Sequence, residues 1–398
     1  MKILVTLIGF LLALPVTMSS QSPSCGTSKI ESEDFRKFNI AFRDANKFSG
    51  GGTARIIPIA VNIIYDSQFA NISDAQVNDG VAVLNNAFGG VYGGVNTNIQ
   101  FCLAGINRAE DANLAYVVKR GNELDAKDLI GEDPFRYLNV WLVEELRESD
   151  QTIIQGWTPY PQFLNTFPEY DGVMLFHRAW GSIGSAEGFE KTDEGKIAVH
   201  EVGHWLGLLH TFDGGCDYNW NCNTEGDCCC DTPPQSAPFY KCKPRRNSCQ
   251  TDSPDERDPI HNYMGYTPDA CRYEFTQCQS DRMNFYLENI RFDAFFEVGD
   301  CPTFKKNPQA TQLPVRPAIQ VAPNPAAGRA QVRLSLPRSM PYQLALYDAR
   351  GVALQTHHGV GEAGEQAWDL DLTGHVPGLY FVRLVAGGTA ATVRLLVQ

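Results

Sequence analysis

The chain opens on a mostly apolar run over residues 3–16, with Lys2 before it and Ser19 and Ser20 after it. Such a run is too short for a comfortable bilayer crossing. A basic start, a short apolar stretch and small residues behind it predict a signal peptide over 1–20. Residues 21–54 are polar and end in Ser49, Gly50, Gly51 and Gly52. This stretch reads as a removable pro-segment or as an ordinary N-terminal extension. The pattern then changes. Residues 56–64 are almost continuously apolar, which predicts a buried strand. Ser73 starts a helix, with Gln76 completing a capping box, and Val77, Val81, Leu84 and Phe88 follow on one face. Short β-type runs come at 99–103, 138–143, 153–157 and 173–176, and a second helix is predicted over 193–206. Beyond it the chain is rich in Cys, Gly, Asp and Pro, hence loop held by cross-links, until a last helix near 280–295. One main domain, 55–301, of the α+β class is therefore expected.

Residues 302–317 carry prolines at 302, 308, 314 and 317 and read as a linker. From 318 to 398 short alternating runs, such as 331–336, 343–347, 380–384 and 392–396, are separated by Gly and Pro turns. That pattern predicts a small all-β, antiparallel sandwich.

Charge narrows the partners. The chain has 33 basic and 46 acidic residues, a net charge of −13, and no long basic run, so nucleic acid is not an expected partner. No later segment is apolar enough to predict a transmembrane anchor. Twelve cysteines are present, nine of them between 216 and 278. In an exported chain such density reads as disulfides, with a second metal cluster as the rival. The adjacent Cys228, Cys229 and Cys230 are expected to bond to different partners.

The segment that carries chemistry is His200, Glu201, Val202, Gly203, His204, then Gly207 and His210. Histidines four apart on a helix present both imidazoles to one ion. Glu201 lies about a hundred degrees round the helix from His200. It can reach a water in the open position without ligating the metal. Gly207 permits a positive φ, so the chain can leave the helix and bring in His210 as third ligand. Three neutral nitrogens and one open position are what a catalytic Zn²⁺ site needs.

This pattern resembles the metzincin zinc signature. Asn262, Tyr263, Met264, Gly265 and Tyr266 look like its Met-turn. His210, Thr211 and Phe212, then Gly226 and Asp227, then Asp231 to Gln235, and the run 261–271 are similar to the pappalysin family. Gly265 departs from the Asp often found there. The resemblance implies a two-lobed zinc protease domain with a twisted mixed sheet and an active-site helix in the upper lobe. It implies protein and peptide substrates, cleavage by zinc-activated water with Glu201 as general base, and Tyr266 as a hydrogen-bond donor to the tetrahedral oxyanion. It also implies disulfides Cys242–Cys271 and Cys216–Cys249, with Cys222 as a rival for Cys216, and an edge strand at 153–157 that binds substrate as an added strand.

Cys25, Gly26 and Thr27 resemble a cysteine switch, in which Cys25 holds the fourth zinc position in a latent zymogen; a disulfide from Cys25 to Cys102 or Cys301 is the alternative. Relatives bind Ca²⁺ near Asp231, and Asp217, Asp227 and Asp231 supply hard oxygen ligands. Relatives that cut before Arg or Lys place a carboxylate just after the Met-turn. Here that position falls on Ala270, with Asp269 beside it. A modest preference for Arg or Lys after the cut is expected from Asp269 or an acidic rim, and Arg55, directly behind the glycine hinge, fits such a maturation site. Finally, Ala322 to Pro325, Leu346 to Gly351, Pro377 to Phe381 and Arg394 to Gln398 look like the type IX secretion sorting domain. That resemblance implies contact with an outer-membrane secretion machinery and a secreted or cell-surface location. The competing function is a binding or adhesion protein using an inactive metzincin scaffold and its C-terminal sandwich.

Overall fold

The computed structural model describes residues 25–27, 39–43, 53–164, 167–189, 191–216, 222, 225–250, 256–297, 299–304, 318–336, 340–348, 353–361, 364–386 and 389–398. The signal-peptide and linker expectations therefore lie outside the described residues, apart from residues 302–304 at the linker's start.

Strand β1 (Arg55–Tyr65) is followed by helix α1 (Asp74–Phe88), strands β2 (Ile99–Glu110) and β3 (Tyr116–Val118), and helix α2 (Glu123–Leu129). Strands β4 (Leu138–Val143), β5 (Glu145–Arg147), β6 (Ile153–Ile154), β7 (Gly156–Trp157) and β8 (Val173–Phe176) lead to helix α3 (Lys196–Trp205). Helix α4 (Gln277–Asn289) comes last in this domain. The main sheet runs β2-β1-β4-β8-β7. Its first four strands are parallel, and β7 lies antiparallel to β8 at the edge. A second sheet has the order β3-β5-β6. The run at 153–157 is thus two short strands in two sheets.

Strands β1, β4 and β8 are largely buried on both faces, which is why they read as near-continuous apolar runs, whereas edge strand β2 mixes buried and exposed positions. Val77, Val81, Leu84 and Phe88 of α1 join Ile57, Ile59, Val61 and Ile63 of β1 in one core with Val199, Val202 and Trp205 of α3. The Ser73 hydroxyl caps α1 by accepting from the Gln76 amide. The rest of the expected box is not made. The Gln76 side chain instead donates to Trp180 O at 3.0 Å and to Ser185 Oγ at 3.1 Å, tying α1 to the loop after β8. A complete box stands at α4, between Thr276 and Gln279.

Helix α3 starts at Lys196, later than the pattern predicts. Gly195 has φ of +71°, outside the helical range. The first amides are capped from a distance: Asp269 Oδ2 accepts from Glu194 N and Lys196 N, each at 3.1 Å. A buried ion pair closes the other end. Arg291 donates to both Asp171 oxygens at 2.7 and 3.0 Å, stacks 3.6 Å over the Trp205 ring and donates to Trp205 O at 2.9 Å. Trp205 Nε1 donates to Asp171 at 3.0 Å.

Disulfides join Cys102 to Cys301, Cys216 to Cys249, Cys222 to Cys230 and Cys242 to Cys271. The first excludes both disulfide partners considered for Cys25. Cys222 pairs with Cys230, so it does not compete for Cys216 or Cys249. Of the three adjacent cysteines only Cys230 is in a disulfide, a departure from the expected pairing of all three.

The C-terminal unit has strands β9 (Ala318–Ala327), β10 (Arg329–Leu336), β11 (Met340–Asp348), β12 (Ala353–Gly361), β13 (Gly364–Asp371), β14 (Gly378–Ala386) and β15 (Thr389–Val397). One layer is β9-β10-β13 and the other β12-β11-β14-β15, antiparallel throughout each layer and joined by one parallel pairing, Val397 with Ala326. Val332, Leu334, Leu344, Leu346, Val382, Leu384 and Leu395 fill the space between the layers.

Candidate active site

All ten residues of α3 are buried, including His200, Glu201 and His204. After Leu206 the chain reverses at Gly207, whose φ of +89° meets the requirement read from the sequence, and His210 returns to the helix. Gly203 is required by packing: a Cβ there would stand 2.5 Å from Met264 Sδ, so the Met-turn lies directly under the helix.

His204 Nε2 stands 3.1 Å from His200 Nε2 and 3.1 Å from His210 Nε2. His200 Nδ1 faces Tyr263 O and His204 Nδ1 faces Leu208 O, both at 2.8 Å. A carbonyl accepts only, so each Nδ1 carries the proton and each Nε2 turns a lone pair toward the others. Burial holds all three imidazoles below the usual histidine range, His204 at about 4; charge repulsion among the rings adds to this for His200 and His210. Converging buried lone pairs need a cation. Nitrogen ligands of a tetrahedral zinc stand roughly 3.3 Å apart at bond lengths near 2.0–2.1 Å, so the three histidines fit that ion.

Cys25 is the fourth member. Its Sγ and the three imidazoles offer ligand atoms within 4.8 Å of one another, and among the described residues no other group of this kind is found. Gly26 N donates to Gly156 O at 2.9 Å, and Cys25 pairs in parallel with Gly156 on edge strand β7. Burial and the neighbouring Glu201 push the Cys25 thiol up.

Glu201 is fully buried beside the histidines. Thr158 Oγ1 donates to its Oε2 at 3.0 Å and Thr27 Oγ1 at 3.3 Å. Burial raises its carboxyl to about 7 against these hydrogen bonds and the Cys25 thiol. Tyr266 Oη lies 3.1 Å from His210 Nε2 and donates to Cys25 O at 3.3 Å.

The chain's match to the family described as pregnancy-associated plasma protein-A covers residues 127–288. An extracellular metalloprotease of Pyricularia oryzae is 33% identical over 243 residues, 60% of this chain and 77% of that protein. The chain belongs to the pappalysin family of metalloproteases. Another extracellular metalloprotease, from Sordaria macrospora, is 29% identical over 296 residues, 71% of this pappalysin and 94% of that protein. Among solved structures, a promirolysin mutant of Tannerella forsythia matches with a TM-score of 0.56 at 28% identity, covering 68% of this chain and 97% of that one. Mature mirolysin in complex with a cleaved peptide matches with a TM-score of 0.51 at 30% identity, covering 61% and 96%. Residues 320–398 match the secretion system C-terminal sorting domain. The pappalysin is thus a secreted metalloprotease with a mirolysin-like metzincin fold and a sorting tail.

Two expected site residues take other roles. Asp269 is fully buried, and its carboxylate is already occupied, Oδ1 by Arg272 and Oδ2 by the two amides at the start of α3. It is not among the residues that line the cleft beside the histidines. Ala270 is exposed on the 3-10 turn Asp269–Cys271. Of the calcium candidates, Asp217 lies outside the described residues. Asp227 is buried and its Oδ1 accepts from Cys229 N at 3.0 Å, while Asp231 accepts from Cys278 N at 2.8 Å.

Sequence reasoning missed Thr158, Arg272 and the Asp171–Arg291 pair. Thr158 directly follows the edge-strand run, so its proximity to Glu201 was within reach. Arg272 pairs with Asp269 three residues away, a spacing open to sequence reasoning, whereas the Asp171–Arg291 pair depends on a contact across the fold.

Proposed function

We propose that this pappalysin is a zymogenic zinc endopeptidase, exported by a signal peptide and held latent by Cys25. The observation that carries the reading is the convergence of three neutral imidazoles beside a buried carboxylate at a sheet edge. When bound, zinc polarises the scissile carbonyl and lowers the pKa of water to roughly 7. The chain's own residues supply the rest. Glu201 receives the proton of the attacking water and delivers it to the leaving amine. Tyr266 donates to the oxyanion, and Thr158 keeps the carboxylate aimed. Substrate adds to β7 in place of the segment around Cys25. The occupancy of that cleft by Cys25 and Gly26 supports latency, as does the greater coverage by promirolysin than by mature mirolysin. A structural Ca²⁺ near Asp227 is part of the proposal: burial raises that carboxyl to about 8, and a cation would offset the cost of its charge.

Glu201→Ala tests the mechanism. The variant should retain zinc and lose casein hydrolysis, because only the base is removed. His204→Ala should lose both. Near-normal hydrolysis by Glu201→Ala would reject the mechanism. Zinc retention without hydrolysis in the wild-type mature chain would favour the scaffold reading instead.

A further inference from the structure

Beside the histidines lies a small cleft whose lining includes Cys25, Gln155, Glu201, Tyr266, Thr267 and Arg272. Ile197 and His200 come from α3, and Tyr266 and Thr267 from the segment behind the Met-turn. The cationic group set into the wall is Arg272, whose side chain is 2% exposed. Nη2 is engaged by Asp269. Nη1 makes one long contact, 3.4 Å to Gly265 O. Nε is buried and has no hydrogen-bond partner. A guanidinium has five N–H donors and no acceptor, so this wall holds unused donors.

The nearest carboxylate cannot balance them for a cationic guest. Asp269 Oδ1 is held by Arg272 and Oδ2 by the α3 amides, while its carbonyl accepts from Lys196 Nζ at 2.9 Å. Lys196 is paired with Glu194. An incoming arginine or lysine would meet Arg272 as a like charge beside an Asp269 that is already paired; the unpaired acceptors of the lining, Gln155 Oε1 and Glu201 Oε1, belong to other side chains of the cleft. An incoming glutamate or aspartate would bring the acceptor that Nε lacks, and charge-assisted bonds from guanidinium to carboxylate are the strong ones. A site whose buried polar group is left unpaired by the wrong guest discriminates strongly.

We propose that Arg272 is a specificity-determining residue, selecting an acidic side chain in the substrate residue seated beside His200 and Glu201, immediately after the cleaved bond. This rests on the endopeptidase reading and reverses the basic preference expected from the sequence. Arg272 and Asp269 form an internal pair that already fills the place of a bound arginine.

The test is a peptide library incubated with the zinc-loaded mature protein, every cut site being read by mass spectrometry. Glu and Asp should be enriched after the cut, with kcat/KM at least tenfold above the Arg and Lys peptides. Arg272→Met removes the donor and frees Asp269 Oδ1. It should lose the acidic preference and gain at least tenfold on Arg and Lys peptides. Arg272→Lys keeps the charge with less change in volume and should retain rejection of basic residues, which covers the case of a poorly folded methionine variant. Preferential wild-type cleavage before Arg or Lys, or an unchanged profile in folded Arg272→Met, would overturn the inference while leaving the enzyme reading intact. Absence of any zinc-dependent cleavage would overturn both.

Discussion

Replacing Asp171 with alanine should be one of the most destabilising single changes outside the histidine site. Asp171 accepts two bonds from Arg291 and one from Trp205, and the paired side chains are 2% and 0% exposed. Burial lowers the Arg291 pKa despite its partner, so the site is costly for a charge even when paired. The alanine variant strands a whole guanidinium in the interior. Breaking a buried pair from one side costs about 3–5 kcal/mol, and the orphaned Trp205 N–H overlaps with that cost instead of adding in full. For a domain of this size about 4 kcal/mol corresponds to a drop in Tm of roughly 8–16 °C. Because Arg291 and Trp205 fix the end of α3, zinc affinity should weaken as well. Urea unfolding of the zinc-loaded protein, beside thermal melts, measures the loss. Asp171→Leu combined with Arg291→Met removes both charges and should recover to within about 1–2 kcal/mol of wild type, since apolar replacement of a whole buried pair is often near neutral. A single variant that loses less than about 1 kcal/mol, or a double variant no better than the single, would refute the reasoning.

Three further outcomes are expected. Cys25→Ala should give a precursor that processes itself faster than wild type in a time course followed by gel and N-terminal sequencing; unchanged latency would remove Cys25 from the switch. His177 is buried between Phe69 and Phe176 and bonded to Ser185, and burial lowers its pKa to about 4. The unfolded chain then takes up the proton first, so His177 leaves stability intact above about 6.5 and erodes it as pH falls toward 4. His177→Gln should flatten the stability–pH curve in that window by up to about 1.4 kcal/mol per pH unit, and an unchanged slope would contradict the assignment. A chain ending at Arg316 should cleave peptides at the wild-type rate, because no described residue of the tail lines the site; a large loss of specific activity would make the sandwich part of the enzyme.

The histidine-bearing helix α3 was legible because its pattern is local. Spacing within one helix and one glycine decides where His200, His204 and His210 point, and the central strands β1, β4 and β8 announce themselves by near-full burial. Asp269 was misread for the opposite reason. Its sequence neighbours suggest a pocket acid, but its partners are Arg272 and backbone amides more than seventy residues away that only the fold brings together. Gln76 likewise satisfies the local capping pattern yet finds stronger competitors at Trp180 and Ser185. The Cys102–Cys301 bridge closes most of the domain, and no local signal distinguishes it from a pairing with Cys25. The split of 153–157 into two strands has the same origin, since its halves answer to different sheets.

The central claim is that His200, His204 and His210 hold one zinc that this secreted protease needs to cut peptide bonds. The direct measurement strips the mature protein of metal with a chelator and titrates zinc back while following cleavage of an internal peptide bond. Activity should vanish on stripping and return linearly, saturating at one zinc per chain. Full activity in the metal-free protein, or no cleavage at saturating zinc, would contradict the account.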